Sequence, residues 1–134
     1  MNYIFIIFIV LFIHPIHASK LNCNNLSKNI KKIIHDKIIK EYSFANFKNL
    51  KITESGTHFP KNCDYVNYTM PKTIILNQDL TIRFNTYKNN EFQYRITKVY
   101  GFNGQASVLK TTKRMFKNDP LKKRNTEITN IDIK

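Results

Sequence analysis

The chain has 134 residues, with 22 Lys and Arg against 9 Asp and Glu, for a formal net charge of +13. That length suits one compact domain beside a targeting segment rather than two complete domains. Three glycines and two cysteines exclude a glycine-cradled phosphate loop of the usual spacing and a cysteine-rich zinc scaffold.

The run Tyr3 to Ile13 is almost wholly Ile, Phe, Val and Leu. It is too short to cross a bilayer, which takes about 20 apolar residues, and it reads as the apolar stretch of a signal peptide. Pro15 ends that stretch and Ala18 offers a small residue, so cleavage is expected between Ala18 and Ser19. Uncleaved, the same segment would be the chain's sole hold on a membrane. No Lys, Arg, Asp or Glu falls before Ser19, so the whole charge excess belongs to the mature part. Such a charge attracts polyanions, although the abundance of Lys with Asn, Ile, Tyr and Phe also fits an A+T-rich coding sequence. In an oxidising compartment Cys23 and Cys63 are expected to form a structural disulfide.

Leu26, Ile30, Ile33, Ile34 and Ile38 recur at helical spacing, which predicts an amphipathic helix from Leu26 to Tyr42, capped by Asn24, Asn25 or Ser27. Its other face carries Lys28, Lys31, Lys32, Lys37 and Lys40. Beyond it the period falls to two: Leu50 and Ile52, then Leu80, Ile82 and Phe84, then Phe92, Tyr94 and Ile96. A further strand is expected over Thr73 to Leu76. Turns are expected at Asn77-Gln78-Asp79, Lys88-Asn89-Asn90 and Asn103-Gly104, residue types that tolerate positive φ. The economical topology is an antiparallel meander.

Catalytic constellations are scarce. His58 has only Ser55 and Cys63 close in sequence and no nucleophile motif. Asp64 with Glu54, or Asp79 with Glu91, would be the carboxylate pairs, but charges at strand edges are mostly solvated. No metal-ligand spacing involves His35 or His58. Arg83, Arg95, Lys98, Tyr94 and Tyr100 interleave basic and aromatic residues as a single-strand platform does. Apolar alternation accounts for the same aromatics as core, and export argues against nucleic acid. These residues predict no enzyme, no cofactor and no metal. A helix followed by antiparallel strands also resembles cystatin-type inhibitors, but Gly104-Gln105-Ala106-Ser107-Val108 is not their Gln-x-Val-x-Gly loop.

The run Ser107-Val108-Leu109-Lys110-Thr111-Thr112-Lys113-Arg114-Met115-Phe116-Lys117-Asn118-Asp119-Pro120-Leu121, followed by Asn125-Thr126-Glu127-Ile128, resembles the opening of a SAF domain, with Asn118 where that domain has Gly. Upstream, the signal segment, the helix, Leu50-Lys51-Ile52, Pro60 to Cys63 and Tyr94-Arg95-Ile96 resemble the flagellar P-ring assembly chaperones of the FlgA family. The resemblance implies an α+β chain: residues 1–18 a signal peptide, 19–103 one amphipathic helix packed on the meander, and 104–134 the start of a SAF (β-clip-like) domain whose second half is missing. It implies a periplasmic chaperone that binds P-ring subunits without catalysis, with Val108, Leu109, Met115 and Phe116 as contact residues. The alternatives are a SAF-containing pilus-assembly protein, or a secreted basic protein that adheres to anionic surfaces through Lys31, Lys32, Lys122, Lys123 and Arg124.

Overall fold

The computed structural model describes residues 18–111 and 126–133. The elements in chain order are β1 (Ser19–Asn22), α1 (Leu26–Glu41), β2 (Asn46–Gly56), β3 (Tyr65–Tyr68), β4 (Leu80–Lys88), β5 (Glu91–Thr111) and β6 (Thr126–Ile133). All strand pairs are antiparallel, in the order β1-β3-β4-β5-β2, with β6 also on β5. The sheet curls into a half-barrel.

This overturns the expected helix on a meander followed by a SAF opening. The chain is mostly antiparallel sheet with one short helix, and β2 and β3, consecutive in sequence, lie apart with β4 and β5 between them. What organises the sheet is the 21-residue β5, long enough to pair with β4 over its first half and with β6 over its second, while β2 takes the other side. It runs without interruption through residues 103 and 104.

One expected turn and one expected strand are absent for identifiable reasons. Asn103 and Gly104 lie inside β5, opposite a bulge: between the pairs Lys48–Gln105 and Lys51–Asn103, β2 places Asn49 and Leu50 against Gly104 alone. Asn49 takes φ 56° and Gly104 φ 144°, so the positive-φ tolerance is used to curl a strand rather than reverse the chain. A Cβ at Gly104 would stand 2.9 Å from the Asn49 carbonyl oxygen and 3.0 Å from Leu50 Cα. Gly104→Ala is therefore expected to cost about 1–3 kcal/mol, read as a lower urea midpoint; an unchanged midpoint would show that the bulge tolerates a side chain. Residues 73–76 form no strand, because the Ile74 N–H is given to Glu41 Oε2 (2.9 Å) and its carbonyl accepts the Tyr42 hydroxyl (2.6 Å). Those groups are spent on the end of the helix instead of a ladder. The Asn89–Asn90 reversal does join β4 to β5, with φ of 51° and 62° at the two central residues, the primed-turn geometry whose twist suits a hairpin.

The helix buries Leu26, Ile30, Ile34 and Ile38, while Ile33 is half-buried. They share one core with Val66, Tyr68, Ile74, Ile82, Phe84, Ile96, Tyr100, Phe102, Ala106 and Ile133. Each fully buried isoleucine contributes roughly 1.5–3 kcal/mol, which is what holds a β-branched helix together. Asn25 is the N-cap in a left-handed conformation and makes no side-chain capping bond. The cysteines are joined, with Cα atoms 5.8 Å apart, and the Cys23 N–H bonds the Asp64 carbonyl, so the bridge extends the β1–β3 pairing.

Candidate functional site

Three features could carry function: a charged cluster inside the curl, an apolar groove at one end, and a polar strip on the outer face. The first comes from a break in alternation. Leu50 and Ile52 point inward on β2, and the next residue of that phase is Glu54, opposite Tyr100. On β5 the inward phase Ile96, Tyr100, Phe102 includes Lys98, only 5% exposed. Lys98 Nζ stands 3.0 Å from Glu54 Oε1 and 4.6 Å from the Phe59 ring centre. Lys31 Nζ approaches Glu54 Oε2 at 3.4 Å, and the Ser27 hydroxyl donates to the same oxygen. Burial pushes the Glu54 pKa up, but the Ser27 bond and the Lys98 and Lys31 charges outweigh it and hold the carboxyl below 4.5. The Tyr100 hydroxyl, fully buried and without a hydrogen-bond partner among the described residues, is pushed well above its ordinary range by burial and the Glu54 charge. A charge of each sign at apolar-phase positions of two strands was the signal in the sequence for this pair.

The apolar groove, about 290 Å³, lies where the helix end meets β5 and β6. Tyr42, Phe44, Phe47, Ile75, Val108 and Ile131 line it, and Phe44 is 70% exposed.

On the outer face, strand register assembles two adjoining rows. Tyr65 of β3, Tyr87 of β4 and Phe92 of β5 stand side by side. Tyr65 and Tyr87 are stacked at 4.9 Å, Phe92 meets Tyr87 edge-on at 5.9 Å, and Lys20 Nζ sits 3.6 Å over Tyr65. Two residues along, Asn67, Asn85 and Arg95 form the next row, with Arg95 Nε donating to Asn85 Oδ1 at 2.8 Å. Beside it a groove of about 460 Å³ is lined by Ala18, Asn67, Tyr68, Thr69, Thr81, Arg83, Asn85 and Arg95. It has two guanidinium groups and no carboxylate, and neither arginine meets an acidic side chain among the described residues.

The structure scatters the residues singled out from sequence. Val108 lines the apolar groove, whereas Leu109 is exposed on the opposite face beside Ile128. Lys31 is drawn inward to Glu54 while Lys32 is exposed. Met115, Phe116, Lys122, Lys123 and Arg124 lie outside the described residues. The interleaved platform is split: Arg83 and Arg95 face outward, Lys98 and Tyr100 inward. Asp64 accepts the Asn89 N–H at 2.6 Å, and Glu54 is committed to cations. No cluster of three or more His, Cys, Asp or Glu that could hold a metal occurs among the described residues, and no helix among them is long and apolar enough to cross a membrane.

Compared with known proteins, the chain matches no family model, no curated protein and no solved structure. Nothing in these comparisons identifies the flagellar chaperone family or a SAF domain.

Proposed function

We propose that this is an exported, non-catalytic binding protein whose outer sheet face takes an anionic partner. The observation that carries this reading is the Arg83–Arg95 groove: two guanidinium groups with amide and hydroxyl neighbours and no acidic lining, on a chain of net charge +13. Guanidinium groups that meet no carboxylate form charge-assisted bonds to a carboxylate, sulfate or phosphate of a partner, and Arg95 is already oriented by its bond to Asn85. Binding to a polyanion column is expected to weaken about tenfold or more between about 50 and 200 mM salt, because each ion pair formed releases counterions. Salt-insensitive retention would sink this reading.

A second reading, the P-ring assembly chaperone implied by the resemblance, is favoured by one observation: Val108 lines an apolar groove with the strongly exposed Phe44. Capture of a purified P-ring subunit that persists at high salt would support it, since apolar contacts are not screened.

A further inference from the structure

The outer strip also bears on which anion fits it. A ligand read by stacking, such as single-stranded nucleic acid, needs open aromatic faces. Here the rings are engaged with one another: Tyr65 is covered by Lys20 on one side and stacks on Tyr87, and Phe92 abuts Tyr87 edge-on. Of these three rings Phe92, 55% exposed, offers the most to solvent, and the nearby Tyr94 of β5 is 48% exposed, so the open aromatic surface is two separate rings rather than a run of stacked faces. A lipid surface would be met by apolar side chains able to enter the acyl region, yet the outward positions around the groove are Thr81, Arg83, Asn85, Arg95 and Thr97. The strand residues of the groove therefore present charge-assisted donors beside neutral amides and hydroxyls.

That pairing suits a chain of linked hydroxylated rings carrying periodic negative groups. Guanidinium groups bond sulfate or carboxylate in a bidentate fork, while amides both donate to and accept from hydroxyls. We propose that the strip formed by Arg83, Arg95, Asn67 and Asn85 is a subsite for an anionic polysaccharide, an assignment that rests on the anionic-partner reading above. Arg83 and Arg95 pair with the sulfate or carboxylate groups. Asn67 and Asn85 bond ring hydroxyls between them, and the bond from Arg95 to Asn85 holds both groups in register across neighbouring strands. The Lys20 ammonium, fixed over Tyr65, adds a further cation at the strip's end.

The test measures binding to a sulfated octasaccharide by calorimetry, with the protein expressed from the full chain and recovered with its disulfide intact. Arg83→Gln/Arg95→Gln is expected to weaken binding about tenfold or more and to flatten the salt dependence by about two ion contacts. Arg83→Lys/Arg95→Lys, which keeps charge without the fork, should fall between the two. Lys28→Gln/Lys40→Gln, an equal charge loss at exposed positions of the helix, is expected to change affinity less than about twofold. Equal losses in the arginine and lysine variants would overturn the subsite while leaving polyanion binding intact. Tighter binding of an oligothymidine or of phosphatidylserine vesicles, lost in the arginine variant, would overturn the polysaccharide assignment. If no polyanion binds at all, the anionic-partner reading fails and the subsite with it.

Discussion

Reduction of the Cys23–Cys63 disulfide is expected to lower the unfolding free energy by up to about 4 kcal/mol, the loop-closure entropy of a cross-link spanning a sequence separation of 40. For a domain of this size that is a large part of a net stability of about 5–10 kcal/mol. The loss has a structural side too. Cys23 closes the four-residue β1, and Cys63 opens the approach to β3, so the bridge fixes the register Ser19–Tyr68 through Asn22–Tyr65. The expected result in a urea titration of Cys23→Ser/Cys63→Ser is a midpoint well below that of the oxidised chain, with hydrogen exchange in β1 and β3 rising more than in β4 and β5. A midpoint within experimental error of the oxidised protein would mean that the unfolded chain is already constrained in this region.

Lys98→Met is expected to destabilise the fold by about 3 kcal/mol, the lower end of the cost of stranding one member of a buried pair. Among the described residues it leaves Glu54 with Ser27 and Lys31 alone, in a site where its side chain is 9% exposed. The double variant Glu54→Met/Lys98→Met removes both desolvation costs and is expected to recover most of the loss. The pair also gives acid sensitivity a defined direction. Because the folded protein holds Glu54 below its ordinary value of 4.5, its contribution is fully present above that pH and is lost as pH falls through the lowered folded value. Unfolding of the parent chain should therefore steepen below about pH 4.5, with a shallower acid limb in the double variant. Equal acid limbs would assign the sensitivity to Glu41, likewise lowered: burial pushes it up, but the Ile74 N–H and Lys37 outweigh that.

Local chemistry was legible in the sequence; long-range pairing was not. The spacing of Leu26, Ile30, Ile34 and Ile38 announced a helix face because it needs nothing beyond one turn to be read. Asn89–Asn90 announced a hairpin because both residues favour positive φ. The same preference at Asn103–Gly104 misled, since a bulge and a turn ask the same of the backbone and only the partner strand distinguishes them. The order of the strands depends on β2 finding β5 past the intervening β3 and β4, which no local pattern encodes. The outer strip was hidden for the same reason: Tyr65, Tyr87 and Phe92, like Asn67, Asn85 and Arg95, become neighbours only through register between three strands.

The short β1 has a further consequence. It forms one rim of the sheet and is held by four residue pairs and the single covalent bridge just beyond them. Once that bridge opens, β1 is held by its four pairs, by Leu21 against the core and by Lys20 over Tyr65, and any fraying of it leaves β3 with a bare row of amides and carbonyls. A departing strand and a vacated slot of matching register are the ingredients of strand exchange between two copies of one chain. The Cys23–Cys63 bridge thus guards the β3 edge as well as the β1 register: while it is closed, the amides and carbonyls of that edge stay covered by the molecule's own first strand.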